Sequence, residues 1–258
     1  MIHVRKRFGQ HFLHDQGVLE RIVEAVNPKA GEHLVEIGPG AGALTARLLE
    51  RVESLEAVEI DRDLAAELRT RWPHRLRLHE GDALDYDFTA LSRLCGGQLR
   101  LVGNLPYNIS TPLLFHFLQH RACIVDLHIM LQKEVIDRMA AAAGEDDYGR
   151  LTVMLAPWVQ IEKLFDVGPG AFHPPPRVWS AVARVTMLAQ PRFAVPALYA
   201  PIVAQAFSQR RKTLRNSLRG RIDAGGWLAA GVDPAARPET LTPEQFARLA
   251  ALAVPVQL

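Results

Sequence analysis

The strongest constraint on the fold is an alternation. Short, nearly continuous apolar runs take turns with segments of helical period. The runs are His33–Gly38, Leu55–Ile60, Leu76–Gly81, Leu99–Leu105, Ile124–Gln132, Val159–Val167 and Ser180–Leu188. Between the first five lie patterns such as Gly42–Val52, with Leu44, Leu48, Leu49 and Val52 in helical register, and Leu64–Trp72. Strands that are apolar along their whole length bury both faces, and strand–helix alternation makes them parallel. The last two runs are joined through His173-Pro174-Pro175-Pro176, with no room for a crossover helix, so they pair antiparallel. The expected fold is α/β, a Rossmann-like, seven-stranded, mostly parallel sheet with an antiparallel last strand.

The pattern changes at Ala189-Gln190-Pro191. Beyond it only helical signals remain: Leu198, Ile202, Val203 and Phe207 in register, and Thr242-Pro243 as N-cap and first helical residue. The chain therefore divides into a larger domain, residues 1–189, and a small all-α domain, residues 190–258. No apolar run approaches the ~20 residues that span a bilayer, and no apolar stretch follows the basic N-terminus as in a secretory signal. Cys95 and Cys123 are the two cysteines. They are too few for a disulfide framework or a four-ligand zinc site, so a cytoplasmic location without metal is expected. The net charge of +2 is unevenly spread. Residues 1–14 carry +3 (Arg5, Lys6, Arg7), residues 190–258 carry +5, and by difference residues 15–189 carry −6. Cationic ends around an acidic middle suit a polyanion held at the ends and chemistry in the middle.

The first run ends in Val35-Glu36-Ile37-Gly38-Pro39-Gly40-Ala41-Gly42, with a helical pattern after it. Gly38 and Gly40 let the chain turn sharply against a ligand. Glu59, at the end of the second run, is placed to accept from the two hydroxyls of a ribose, and Asp82, after the third, from an adenine amino group. Such a loop also occurs in nicotinamide enzymes. Glu36 tips the choice, because a carboxylate there repels a pyrophosphate but suits a sulfonium or ammonium. The cofactor expected is S-adenosyl-L-methionine.

The fourth run ends in Gly103-Asn104-Leu105-Pro106-Tyr107-Asn108-Ile109-Ser110-Thr111. Carboxyl ends of strands are where such sheets bind ligands. The exocyclic nitrogen of adenine is a poor nucleophile because its lone pair is delocalised into the ring. The Asn104 side-chain carbonyl and the Leu105 backbone carbonyl, placed on its two hydrogens, favour a pyramidal nitrogen. Pro106 stiffens the corner. Tyr107 supplies a ring on which an extruded base stacks, worth ~1–3 kcal/mol, and a π face for the positive charge that develops. A sulfonium leaves readily, so positioning and hydrogen-bond electrostatics suffice without a strong base.

These motifs, with five further islands, resemble the bacterial ribosomal RNA small-subunit adenine dimethyltransferases, the family linked to kasugamycin sensitivity. The islands are Lys6 to Leu13, Met130 to Glu134, Tyr148 to Leu151, Phe172 to Val178 and Phe207 to Leu218. The resemblance implies the class I methyltransferase form of the fold. It implies dimethylation of two adjacent adenosines in a hairpin loop near the 3′ end of 16S rRNA, in the small ribosomal subunit or its precursor. Cofactor contacts are implied for His11, Leu13, Gly38, Glu59, Asp82 and Asn104, and target-base contacts for Asn104, Leu105, Tyr107 and Phe172. The family usually carries Asn where this chain has His11, Lys at Arg177 and Asp at Trp179.

Residues 208–221 hold Arg210, Arg211, Lys212, Arg215, Arg219 and Arg221 with few acids between them. On one continuous helix Arg211, Arg215 and Arg219 share a face, with Leu214 and Leu218 turned to a core, and the ridge suits RNA phosphates. Arg5, Lys6 and Arg7 join them as expected RNA contacts. A monomer is expected. The competing readings are a large-subunit rRNA methylase, an adenine methylase of another RNA or of DNA, a nicotinamide dehydrogenase, and an assembly factor that only binds RNA.

Overall fold

The computed structural model describes residues 11–209 and 212–255. Among the described residues there are nine strands: β1 (Phe12–Leu13), β2 (His33–Ile37), β3 (Leu55–Glu59), β4 (Leu76–Glu80), β5 (Leu99–Asn104), β6 (Ile124–Gln132), β7 (Val159–Val167), β8 (Phe172–His173) and β9 (Ser180–Met187). Seven of them form one sheet in the order β4-β3-β2-β5-β6-β9-β7. β2 pairs in parallel with β3 and β5, β3 with β4, and β5 with β6, while β9 runs antiparallel to β6. The seven expected runs match these strands to within a residue at each end. Their residues explain why: Leu34, Val35, Ile37, Leu101, Val102, Ile129 and Leu131 are all nearly inaccessible, as a sheet covered on both faces requires.

The chain builds outward from β2 through β3 to β4, then returns to β5 on the other side of β2. That reversal leaves a crevice at the carboxyl ends of β2 and β5, where open α/β sheets take their ligands. Close approach of those two strands dictates Gly103. A Cβ there would lie 2.5 Å from the Ile37 carbonyl oxygen.

A two-stranded ribbon of β1 and β8 has no counterpart in the sequence reading. Phe12 faces His173 and Leu13 faces Phe172 in an antiparallel register, and the His14 amide donates to the Ala171 carbonyl at 3.0 Å. Two residues are too short for any periodicity to show.

The described residues form two compact units. One comprises those up to Ile136 with Ile161–Met187, and the other Asp137–Gln160 with those from Leu188 onward. The chain thus leaves the sheet close to the sequence boundary at 189, but the segment 137–160 belongs with the helices. Val153 shares their core with Ile202, Val203, Leu214 and Phe246. Tyr148 Oη donates to the Leu241 carbonyl at 2.6 Å, and Tyr199 Oη to that of Val153 at 2.8 Å. Periodicity reveals that a helix buries one face, but not against which neighbour. The expected start at Thr242-Pro243 is present, with Thr242 Oγ1 and Gln245 capping each other's amides.

The basic segment departs from expectation. Its helix is a single turn, Leu214–Ser217. Upstream, extended Thr213 is the cap, and the Leu214 and Arg215 amides are committed to the Ala236 and Pro234 carbonyls at 2.9 Å. Downstream, Gly220 adopts φ +76°. Arg215 and Arg219 therefore do not form a ridge along one helix, although both are exposed and Leu214 and Leu218 are buried as expected. Arg221 is buried, with Nε donating to the Val254 carbonyl at 2.7 Å and a second nitrogen to Gln205 Oε1 at 3.0 Å, so it serves the core. Arg5, Lys6, Arg7, Arg210 and Arg211 lie outside the described residues.

Candidate active site

One cavity of about 310 Å³ occupies the crevice at the ends of β2 and β5. That volume lies at the lower end of the ~300–1,000 Å³ range of small-molecule sites. The glycine loop and the Asn104 corner line the same cavity: Gly38 and Gly40 on one side, Asn104, Leu105 and Tyr107 on the other. Glu59 and Asp82 line it from the ends of β3 and β4, and His11 and Leu13 from the N-terminal side. Phe172 is not among the lining residues. It is 2% exposed and packs with Leu13, Val102, Met130 and Val182, because its register in β8 turns it into the core.

The loop is shaped by its glycines. Gly40 sits at φ +56°, and a Cβ on it would come within 3.0 Å of the Phe12 ring. The Gly40 amide donates to Glu59 Oε2 at 3.0 Å and the Asp61 amide to Oε1 at 2.9 Å. Glu59 is thus fixed at the end of β3, with further lone pairs on both oxygens for a diol. Its burial raises the carboxyl above the usual range, and these backbone donors pull the other way. Asp82 Oδ1 accepts from the Leu84 amide at 2.9 Å, which sets the rotamer of the group at the end of β4.

Glu36 is the most deeply buried acid of the site. Thr45 Oγ1 donates to its Oε2 at 2.6 Å. Full burial pushes the carboxyl up to about 8, the Thr45 bond opposes this, and the Glu59 charge adds to it. A carboxyl held neutral for want of a cation is ready to ionise beside one. These acceptors and this space fit an adenosine bearing a cationic amino-acid tail.

At the other corner, Asn104 Nδ2 donates to the His11 carbonyl at 2.8 Å. A carbonyl only accepts, so the contact fixes which end of the amide is the nitrogen and leaves Oδ1 as the free acceptor. The Leu105 amide is held by the Met130 carbonyl at 3.1 Å, and the Tyr107 hydroxyl lies 2.6 Å from Ser180 Oγ. Burial raises the Tyr107 phenol above its ordinary range, so it stays protonated. The His11 ring stacks on Tyr107 with centroids 5.6 Å apart and planes 25° apart, and its Nδ1 lies 2.8 Å from the Pro174 carbonyl. The His11 ring thus covers one face of Tyr107.

Over residues 1–254 the chain matches the family described as ribosomal RNA adenine dimethylase. The chain belongs to that family. Among relatives of this kind, the ribosomal RNA small subunit methyltransferase A of Methylococcus capsulatus is 55% identical over 247 residues, covering 94% of this chain and 95% of the relative. The protein of the same name from Hahella chejuensis is 52% identical over 250 residues, covering 95% and 91%. The solved 23S rRNA methyltransferase ErmE superposes with a TM-score of 0.72 at 28% identity, covering 93% of this chain and 98% of its own. A dimethyladenosine transferase from Plasmodium falciparum shares the fold, with a TM-score of 0.77 at 24% identity over 94% and 99% of the two chains.

As a member of the dimethylase family the chain is a methyltransferase, and its cavity brings together the cofactor and target-base residues picked out from sequence except Phe172. Three contributors were missed. Thr45 and Ser180 each orient a site residue through a hydroxyl, and the His11 main chain orients Asn104. Hydroxyls are too common for sequence to single out. The His11 contact joins positions 93 residues apart, and no local pattern reports it.

Proposed function

We propose that this chain transfers methyl groups from S-adenosyl-L-methionine to the N6 nitrogens of two adjacent adenosines in a hairpin loop near the 3′ end of 16S rRNA. Both would be dimethylated during small-subunit assembly, in the cytoplasm. The observation that carries the reading is the shared cavity, with the oriented Asn104 acceptor facing the same space as the glycine loop. When bound, the cofactor supplies an electrophilic methyl on a sulfonium.

The chain's own residues do the rest. Glu59 holds the ribose, Asp82 the adenine amino group, and Glu36 balances positive charge. Asn104 Oδ1 and the Leu105 carbonyl take the two hydrogens of the target amine and turn its lone pair toward the methyl. Tyr107 fixes the plane of a base that has left its stack. Exposed Lys212, Arg215 and Arg219, with Arg5, Lys6, Arg7, Arg210 and Arg211, supply charge for the phosphates.

The relatives above 50% identity are named for the small subunit, which favours that RNA over the 23S substrate named for ErmE. Transfer of labelled methyl to undermethylated small subunits, with the modified bases mapped, tests the reading. Label confined to two neighbouring adenines of the 3′ hairpin is the expected result. Label elsewhere, or none, overturns it.

A further inference from the structure

We propose that Arg177 and Trp179 form an RNA contact at the lip of the cavity, with Trp179 stacking on a nucleobase next to the methylated adenosine and Arg177 on its phosphate. This rests on the rRNA reading above.

Residues 177–179 are three exposed positions in a row, and Trp179 is 56% exposed. The ring is nonetheless seated. It lies over Gly168, where an added Cβ would meet ring carbons at 3.7 Å. The main chain is held on both sides. The Trp179 carbonyl accepts from the Lys133 amide at 2.9 Å, and the next side chain, fully buried Ser180, holds the Tyr107 hydroxyl.

The topology sets its place. Ser180 pairs with Gln132 at the carboxyl end of β6, and Asn104 pairs with Met130 on the other side of that strand. Trp179 therefore lies at the same carboxyl-terminal end of the sheet as Asn104, two strand spacings across and about three residues further along, roughly 14 Å in all. Neighbouring nucleotides of a splayed loop cover such a separation, and sequence-selective RNA contacts favour unstacked loops of this kind. Arg177 has no ion-pair partner among the described residues. A fixed aromatic face beside an unpaired guanidinium is the chemistry that holds single-stranded nucleic acid.

The test uses the full chain as wild type, Trp179→Ala, Trp179→Phe and Arg177→Ala. RNA affinity is measured on an unmethylated 3′-hairpin oligonucleotide, and kcat and KM on undermethylated small subunits. Trp179→Ala is expected to raise Kd and KM for RNA by roughly 5- to 150-fold, with kcat at saturation and cofactor affinity unchanged. Trp179→Phe should recover most of the loss. Arg177→Ala should reduce the slope of log affinity against log salt by about one. If Trp179→Ala stays within about twofold of an active wild type, or Trp179→Phe is as weak as Trp179→Ala, this proposal alone is overturned. A wild type that neither binds nor methylates that RNA overturns the rRNA reading and this proposal with it.

Discussion

Glu36 makes the stability of the ligand-free protein depend on pH in a direction opposite to that of most carboxylates. Its ordinary value is 4.5, and in the folded chain it rises to about 8. Between those values the folded chain keeps a proton that the unfolded chain has lost. The stability this group contributes is therefore full below the unfolded value and declines as pH climbs toward the folded one. Each unit crossed costs about 1.4 kcal/mol, less a few tenths near the top where the folded carboxyl begins to ionise. From about pH 6 to about pH 8 the loss through this one group comes to about 2 kcal/mol.

Glu36→Gln keeps the shape and an oxygen for the Thr45 hydroxyl but cannot titrate. Glu59 also titrates upward, so the informative quantity is the difference between wild type and variant, not either curve alone. Equilibrium urea unfolding of both proteins without ligand, across that pH range, gives it. Wild type is expected to lose about 2 kcal/mol more than the variant on going from the acid to the alkaline end. Parallel curves would refute the claim that Glu36 is buried and neutral, and with it the role of that carboxyl as a cation partner.

Asn104→Ala removes the oriented acceptor and should lower kcat by roughly 10²–10³, the scale for one electrostatic partner of a reacting group, while RNA binding by gel shift stays intact; equal loss of both refutes the assignment. Gly103→Ala forces a Cβ against the Ile37 carbonyl, so thermal unfolding should show at least about 1–3 kcal/mol of destabilisation. Replacing Lys212, Arg215 and Arg219 together by Ala should weaken RNA binding at all sequences alike and flatten its salt dependence; a change confined to one sequence would point to base contacts instead.

The sequence by itself determined the sheet and most of the site. Seven apolar runs with helical segments between the first five point to a covered, mostly parallel sheet, because strands apolar along their whole length must be buried on both faces. The glycine loop, Glu59, Asp82 and Asn104 follow at carboxyl ends, so their approximate neighbourhood comes with the strand order. Tertiary structure decided what depends on distant partners. Phe172 sits in sequence in the Phe172 to Val178 island that implies a base contact, yet its pairing opposite Leu13 turns it into the core. The basic segment has helical spacing, yet the 234–236 loop takes its first amides and confines it to one turn. The Asn104 amide has two orientations of equal local energy, and the His11 carbonyl chooses one. Each of these is a choice between locally equivalent states, which only a contact from elsewhere in the chain can settle.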